Sequence, residues 1–423
     1  MAEFERRVWE PSPDGLTRRD RRPCEYYTYL PDRLLGRNYL LTGETAADVA
    51  DAENAVTALN VRANALASTE VLARILLRAE SVASSKIEGL VVGPRRLLEA
   101  EVAREIDGAT SDVTAAEVLA NVDAMDRAIK LSGEGVNITP DLLRDVHRSL
   151  LAGTPSAHLG GEFRQEQNWI GGSNYNPCTA AFVPPPWELV EGLVDDLCAF
   201  CNDDSLPAIA QAAIAHAQFE TIHPFIDGNG RTGRALVHMV MRRRGLALRV
   251  QPPISLVLAT ISEGYIEALG AYRYEGDSGS AEAVEGVNRW IALFAGACVR
   301  AVADAEGFED RMREIESEWR TRLGSVRRGS SVDLLLKLLP GAPVITVTGA
   351  SAVLGRTFAA VNNAVDALVN AGILRQVNVG RRNRAFESVE VIEAFIGLER
   401  QLGSPADDTR IEPPVRPTPR RPS

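Results

Sequence analysis

The sequence predicts a mainly α protein with a single β-hairpin in its body and a winged helix-turn-helix segment towards its C-terminus. Three observations carry this reading. Apolar residues recur at three- and four-residue spacing through most of positions 44–326. The pattern breaks once, at 160–187, where short apolar stretches flank an Asn-, Pro- and Gly-rich tip. From about 329 a helix-turn-helix pattern precedes two strand-like runs around a basic turn.

Taken in order, residues 1–43 are rich in Pro, Arg and Tyr with weak periodicity and read as an irregular arm. The Ala-, Leu- and Glu-rich stretch 44–84 reads as two helices, followed by helices at 113–131 and 139–151. Thr139 and Pro140 open the latter as cap and first-turn proline. After the hairpin, helices are expected at 187–202 and 207–222, then a glycine-rich turn, then a helix from near Arg231 to Arg244, with more over 255–326. The composition shifts at 327–331, and the helix-turn-helix follows, its second helix ended by Gly372, then two strands and a last helix at 389–400. The Pro- and Arg-rich tail is expected to be disordered. The resulting division is 1–110 (arm and first helices), 111–300 (core), 301–328 (connector), 329–400 (winged helix) and 401–423 (tail).

A chain of 423 residues exceeds what one hydrophobic core usually organises. No run approaches the roughly 18 apolar residues of a membrane span, so the cytoplasm is the expected address and no membrane partner is expected. Five cysteines (Cys24, Cys178, Cys198, Cys201, Cys298) form no close, even framework, and reduced thiols are expected. Cys198 and Cys201 make a lone CxxC without the further ligands a zinc site needs. The net charge of −11 argues against broad nucleic-acid binding.

The chemistry concentrates between Thr221 and Arg234, in TIHPFIDGNGRTGR. Gly228, Asn229 and Gly230 can turn successive N–H groups inward just before a helix whose positive end favours anions. Arg231 and Arg234, three apart, can face one polyphosphate. Asp227 is placed to hold a divalent cation through oxygen, as Mg²⁺ on phosphates requires. His223 can take a proton from an attacking hydroxyl, and Phe225 reads as an apolar anchor of the loop.

The run HPF-x-D-G-N-G-R-x-x-R matches the signature of the Fic family, whose members transfer part of a nucleotide to a protein hydroxyl. The resemblance spans about 45–300 and implies a Fic-type helical core with one hairpin flap. It implies His223 as general base, Asp227 as the Mg²⁺ ligand, and Phe225, Gly228, Asn229, Gly230, Arg231 and Arg234 as the nucleotide site. ATP would present its α-phosphate to the acceptor, so AMP would be transferred to a protein hydroxyl. Gly230, where the kinase-like relative Doc carries lysine, favours AMP over γ-phosphate transfer. Trp169, Ile170, Gly171 and Gly172, with Ala181 to Pro184, resemble the arms of the family's flap, whose edge pairs with an extended target.

Ser84-Ser85-Lys86-Ile87-Glu88-Gly89 fits the inhibitory pattern [ST]-x-x-x-E-[GN] of many Fic proteins, with Ser84, Glu88 and Gly89 at its fixed positions. It implies that Glu88 pairs with Arg234 and denies that arginine to the γ-phosphate. Winged helices accompany some bacterial Fic cores, and DNA is one partner such a module implies. Yet the candidate recognition helix, 357–371, holds no Lys or Arg, leaving Asn362 and Asn363 for bases and Arg375, Arg381, Arg382 and Arg384 for phosphates. Dimerisation or target docking is an equal expectation, and a homodimer fits the family's habit. Three alternatives stay open: a DNA-binding regulator that only senses nucleotide, an enzyme using another donor, and one that removes AMP.

Overall fold

A computed structural model of the chain describes residues 1–10, 21–64, 69–108, 110–379 and 383–401. In chain order its elements are β1 (Glu3–Trp9), β2 (Cys24–Leu30), α1 (Gly43–Asn64), α2 (Thr69–Ile87), α3 (Pro94–Asp107), α4 (Val113–Leu131), α5 (Pro140–Leu151), α6 (Val190–Cys201), α7 (Ala208–Ile222) and α8 (Asn229–Arg243). There follow α9 (Ile254–Thr260), α10 (Ser262–Tyr272), α11 (Ala281–Leu323), α12 (Ser331–Leu338), β3 (Val344–Ile345), α13 (Val347–Leu354), α14 (Phe358–Asn370), β4 (Arg375–Val379), β5 (Asn383–Glu387) and α15 (Val389–Gln401). The mainly α class is as expected. Two compact units are formed, one from 1–54, 126–246 and 263–296, the other from 55–125, 247–262 and 297–423.

In the first unit α7 is buried at every position. Its alanine-rich faces let α8 come close, and a Cβ at Gly233 would stand 2.6 Å from Glu220 Oε1 and 2.9 Å from Phe219 Cδ1. Trp290 of α11, fully buried, donates Nε1–H to the Ala213 carbonyl at 2.7 Å and fixes the other side of α7. α5 begins where Thr139 Oγ1 accepts the Leu142 N–H at 3.2 Å, with Pro140 in the first turn. Leu143, Val146, His147, Leu150 and Leu151 form its buried stripe.

Residues 1–43, expected to be irregular, instead open with an antiparallel pair, β1 on β2, in register from Glu3↔Leu30 to Trp9↔Cys24. Its core is Tyr29 with Ala2, Tyr274 and Ala283. β2 is extended by the 182–185 segment, because Tyr29 N–H donates to the Val183 carbonyl at 3.0 Å and Thr28 Oγ1–H to the Pro184 carbonyl at 2.9 Å. The expectation of five reduced thiols is corrected as well. Cys24 and Cys178 form a disulfide with 5.8 Å between their Cα atoms, whereas Cys198, Cys201 and Cys298 are free and buried. The hairpin expected at 160–187 narrows to one antiparallel bridge, Ile170↔Phe182. Gly171 and Gly172 have φ near +75°, which turns the chain at once, and a 3-10 turn at Pro177–Thr179 closes the tip.

In the second unit α2 packs on α9, and the buried Glu80 carboxylate accepts the Ser255 N–H at 2.7 Å, at the positive end of α9. Ser84 and Ser85 are fully buried on the last turns of α2. Asn121 of α4 donates to the Ser81 carbonyl at 2.7 Å and to Ser85 Oγ at 3.0 Å. The helix ends at Gly89 (φ +82°), with Leu90 N–H returning to the Ser85 carbonyl at 3.0 Å, and Glu88 is exposed on this cap. Leu98 and Val102 of α3 share a core with Val344, Ala385 and Ile392.

After α12 the chain forms a three-stranded antiparallel sheet of order β3-β5-β4 with α13, α14 and α15 around it. Arg375, one of the arginines expected to hold phosphates, is taken up by the buried Glu387 at 2.9 Å, which also pairs with Arg95 at 3.2 Å. Arg384 donates to Gln376 Oε1 at 3.0 Å. Arg381, Arg382 and the tail from 402 lie outside the described residues.

Candidate active site

His223 terminates α7. Its N–H closes on the Phe219 carbonyl at 2.8 Å, and its φ of 50° is the only positive value at a non-glycine among the described residues. Pro224 then forbids another helical turn. A side chain held in the left-handed region costs energy that the surroundings must meet. Arg164, from the segment after α5, does so by donating Nε–H to the His223 carbonyl at 2.9 Å. Asn168 Nδ2 adds a bond to the Phe225 carbonyl at 2.9 Å.

The imidazole Nδ1 is buried without a hydrogen-bond partner. Burial, and then the charges of Arg164 and Arg273, lower the His223 pKa to about 3. The ring is therefore neutral at physiological pH, the form a general base needs, while burial beside two cations makes it a weak base.

Across the loop Gly228 adopts φ +78° and α8 starts at Asn229. The first intrahelical bond is Thr232 N–H to the Gly228 carbonyl at 3.0 Å, which leaves the N–H groups of Asn229, Gly230 and Arg231 without intrahelical acceptors. They face the positive end of the helix, as an anion cradle requires. A Cβ at Gly228 would lie 2.9 Å from Leu150 Cδ2, so that position has neither the conformation nor the room for a side chain.

Arg231 is 4% exposed, yet its Nε and Nη1 have no hydrogen-bond partner. Its nearest acid is Asp227 Oδ1, 3.6 Å from Nη2. Buried guanidinium N–H groups left unanswered are costly unless an anion meets them. Arg234, 2% exposed, follows on the same helix.

Two expected nucleotide contacts have other duties. Asn229 ties its side chain to the loop, accepting the Phe225 N–H at 2.8 Å and donating one Nδ2–H to the Phe225 carbonyl at 2.7 Å, which leaves its second Nδ2–H and its main-chain N–H for a phosphate. Phe225 is fully buried and anchors the loop, its ring stacked on His147 at 3.7 Å. Asp227 is half exposed, and its Oδ1 accepts the Gly228 N–H at 2.6 Å. Among the described residues no group of three or more His, Cys, Asp or Glu could hold a metal unaided. Asp227 offers a single half-exposed carboxylate beside the cradle, the contribution that suits an ion held mostly by phosphate and water oxygens.

Sequence reasoning missed His147, Arg164, Asn168 and Arg273. His147 Nε2–H donates to the Asp227 carbonyl at 2.9 Å while Nδ1 accepts the Gly161 N–H at 2.9 Å, which fixes the tautomer. A histidine on the apolar stripe of α5 was the available signal. Arg164 and Arg273 had none, because most of their partners are carbonyls and a hydroxyl that lie far along the chain. On the flap, Trp169 donates to the Ser173 carbonyl at 2.7 Å and meets Trp9 edge-on at 5.4 Å, Ile170 makes the bridge, and Gly172 abuts the Thr179 carbonyl. Ser84, Glu88 and Gly89 belong to the second unit, as the end and cap of α2.

Residues 137–241 match the Fic/DOC family model and residues 46–130 the Fic/DOC family N-terminal model. Protein adenylyltransferase fic-1 of Caenorhabditis briggsae is 34% identical over 153 residues, covering 34% of this chain and 27% of that protein. Protein adenylyltransferase Fic of Drosophila yakuba is 34% identical over 159 residues, covering 36% and 28% respectively. The alignments thus span little more than a quarter of these relatives. The crystal structure of a Fic family protein from Desulfovibrio desulfuricans G20 shares the fold, with a TM-score of 0.50 at 18% identity over 83% of this chain and 97% of that one. The match to the Fic/DOC family is thus carried by residues 46–130 and 137–241 of this chain.

Proposed function

We propose that this chain is a protein adenylyltransferase that moves AMP from ATP to a hydroxyl side chain of a target protein. The observation that carries the reading is the pairing of a neutral, strained His223 with a helix N-terminus beside the unanswered Nε–H and Nη1–H of Arg231. A polyphosphate answers those donors, and a hydroxyl proton answers the imidazole. The acceptor oxygen forms a bond to the α-phosphorus as His223 takes its proton, the bond to the bridging oxygen breaks, and pyrophosphate leaves. Mg²⁺, held by Asp227 together with phosphate oxygens, would neutralise phosphate charge. Arg231 and Arg234 hold the departing phosphates, and the cradle N–H groups orient those next to the reacting phosphorus.

The Ser84–Gly89 motif supports a second part of the proposal, that Glu88 restrains transfer by competing for Arg234. If the open form is about 1% populated, release raises the rate at most about 100-fold. The test incubates wild type, Glu88→Gly and His223→Ala with Mg²⁺ and ATP labelled at the α- or the γ-phosphate, alone and with host-cell lysate. Protein label from the α position only, strongest in Glu88→Gly and absent in His223→Ala, is expected. Label from the γ position would make the chain a kinase. An equal rate in Glu88→Gly would remove the restraint, and no label at all would favour another donor, AMP removal or a nucleotide sensor.

A further inference from the structure

The last turn of α7, which carries His223, exposes carbonyls that the helix cannot satisfy itself. Two arginines, Arg164 buried and Arg273 part-buried, answer them, and both also grip the second arm of the flap. Arg164 is 3% exposed and its side chain donates to four carbonyls, those of Glu166 (3.1 Å), Pro185 (2.5 Å), Ile222 (3.3 Å) and His223 (2.9 Å). Its own N–H adds a bond to the Pro224 carbonyl at 2.9 Å. Arg273, just beyond α10, donates Nε–H to Thr221 Oγ1 at 3.2 Å and Nη2–H to the Glu220 carbonyl at 3.4 Å. Its guanidinium carbon lies 3.6 Å from the centre of the Phe182 ring.

We infer that Arg164 and Arg273 are positioning residues that lock the flap arm 182–185 and the end of α7 into one body, so that a docked acceptor meets His223 in fixed register. Lysine could not substitute. A planar fork reaches several carbonyls in fixed directions and lies flat on an aromatic face, whereas an ammonium is a point charge with three donors and no plane to stack. The Ile170–Phe182 bridge, with Ile170 N–H to the Phe182 carbonyl at 2.8 Å, passes this order to the first arm. A misplacement near 1 Å in such a site costs about 10²-fold in rate. The inference rests on the proposed roles of His223 as base and of the flap as dock.

The experiment uses the full chain carrying Arg164→Lys, Arg273→Lys, Phe182→Leu or Phe182→Tyr. Three quantities are read: the rate of protein labelling from α-labelled ATP, affinity for a fluorescent ATP analogue with Mg²⁺, and hydrogen exchange of the flap amides. Arg273→Lys and Phe182→Leu should lower labelling by about 10- to 100-fold, leave nucleotide affinity unchanged, and speed exchange at 168–172 and at Phe182 and Val183. Phe182→Tyr, which keeps a ring under Arg273, should retain more of the rate than Phe182→Leu. Unchanged flap exchange in both Arg273→Lys and Phe182→Leu would overturn the inference, as would a loss of nucleotide affinity in step with the rate. If wild type labels no protein the proposed function falls, while the exchange measurement still decides the coupling.

Discussion

His223 shows how one residue gains its chemistry from its surroundings rather than from its own side chain. Its backbone is strained, its ring is buried, and two cations lie against it, so that its pKa falls to about 3. His216, buried on α7 with Nε2 against the Tyr265 hydroxyl at 2.8 Å, is lowered to about 3 by burial and by Arg234. In the unfolded chain both titrate near their ordinary value of 6.5. Between that value and about 3 the unfolded chain binds protons that the folded chain refuses. Stability is therefore full above pH 6.5 and falls as the pH drops through this window, by about 1.4 kcal/mol per pH unit for each histidine. Urea unfolding at pH 7 and pH 5 checks this, and His216→Gln should make the decline shallower. An equal slope in the variant would show that His216 is not held neutral by folding.

At the scale of elements, what could be read from the sequence was what is written locally. Thr139-Pro140 announced the start of α5 because cap and first-turn proline act within one turn. The HPF-x-D-G-N-G-R run exposed most of the site because its base, cradle and arginines fall within residues 223–234. The β1–β2 pair was not legible, since EFERRVW and CEYYTYL lie fourteen residues apart, well beyond the two- to five-residue loops that mark a hairpin. The support of the site by His147, Arg164 and Arg273 depends on tertiary approach, which periodicity does not encode. The Cys24–Cys178 disulfide, bridging 154 residues of sequence, belongs with these. Denatured under non-reducing conditions, the chain should yield three reactive thiols, from Cys198, Cys201 and Cys298, and five after reduction. Reductant should lower the melting temperature of wild type, a native disulfide being worth about 2–5 kcal/mol, but leave Cys178→Ser unmoved. Five thiols without reductant would refute the pairing.

For the molecule as a whole, charge decides what the C-terminal segment can bind. The whole chain carries −11, residues 329–400 hold seven Lys and Arg against six Asp and Glu, and DNA affinity without sequence preference needs basic side chains able to neutralise phosphates. Of the expected phosphate ligands, Arg375 is occupied by Glu387 and Arg384 by Gln376. On α14 the exposed positions include Phe358, at 58%, with Asn363 and Asp366, and Asn362 donates to Asp366 at 3.1 Å. An apolar, acidic helix face suits a protein surface better than a phosphate backbone, which weights docking or self-association over DNA for residues 329–400. Fluorescence anisotropy with a labelled mixed-sequence duplex at low salt should accordingly show no binding at protein concentrations of about 1 μM. Asp366→Lys, which reverses the charge on that face, should by itself add only weak, salt-sensitive binding. Tight binding by wild type that weakens steeply as salt rises would instead return the segment to the DNA-binding reading, with phosphate ligands supplied from elsewhere on the chain.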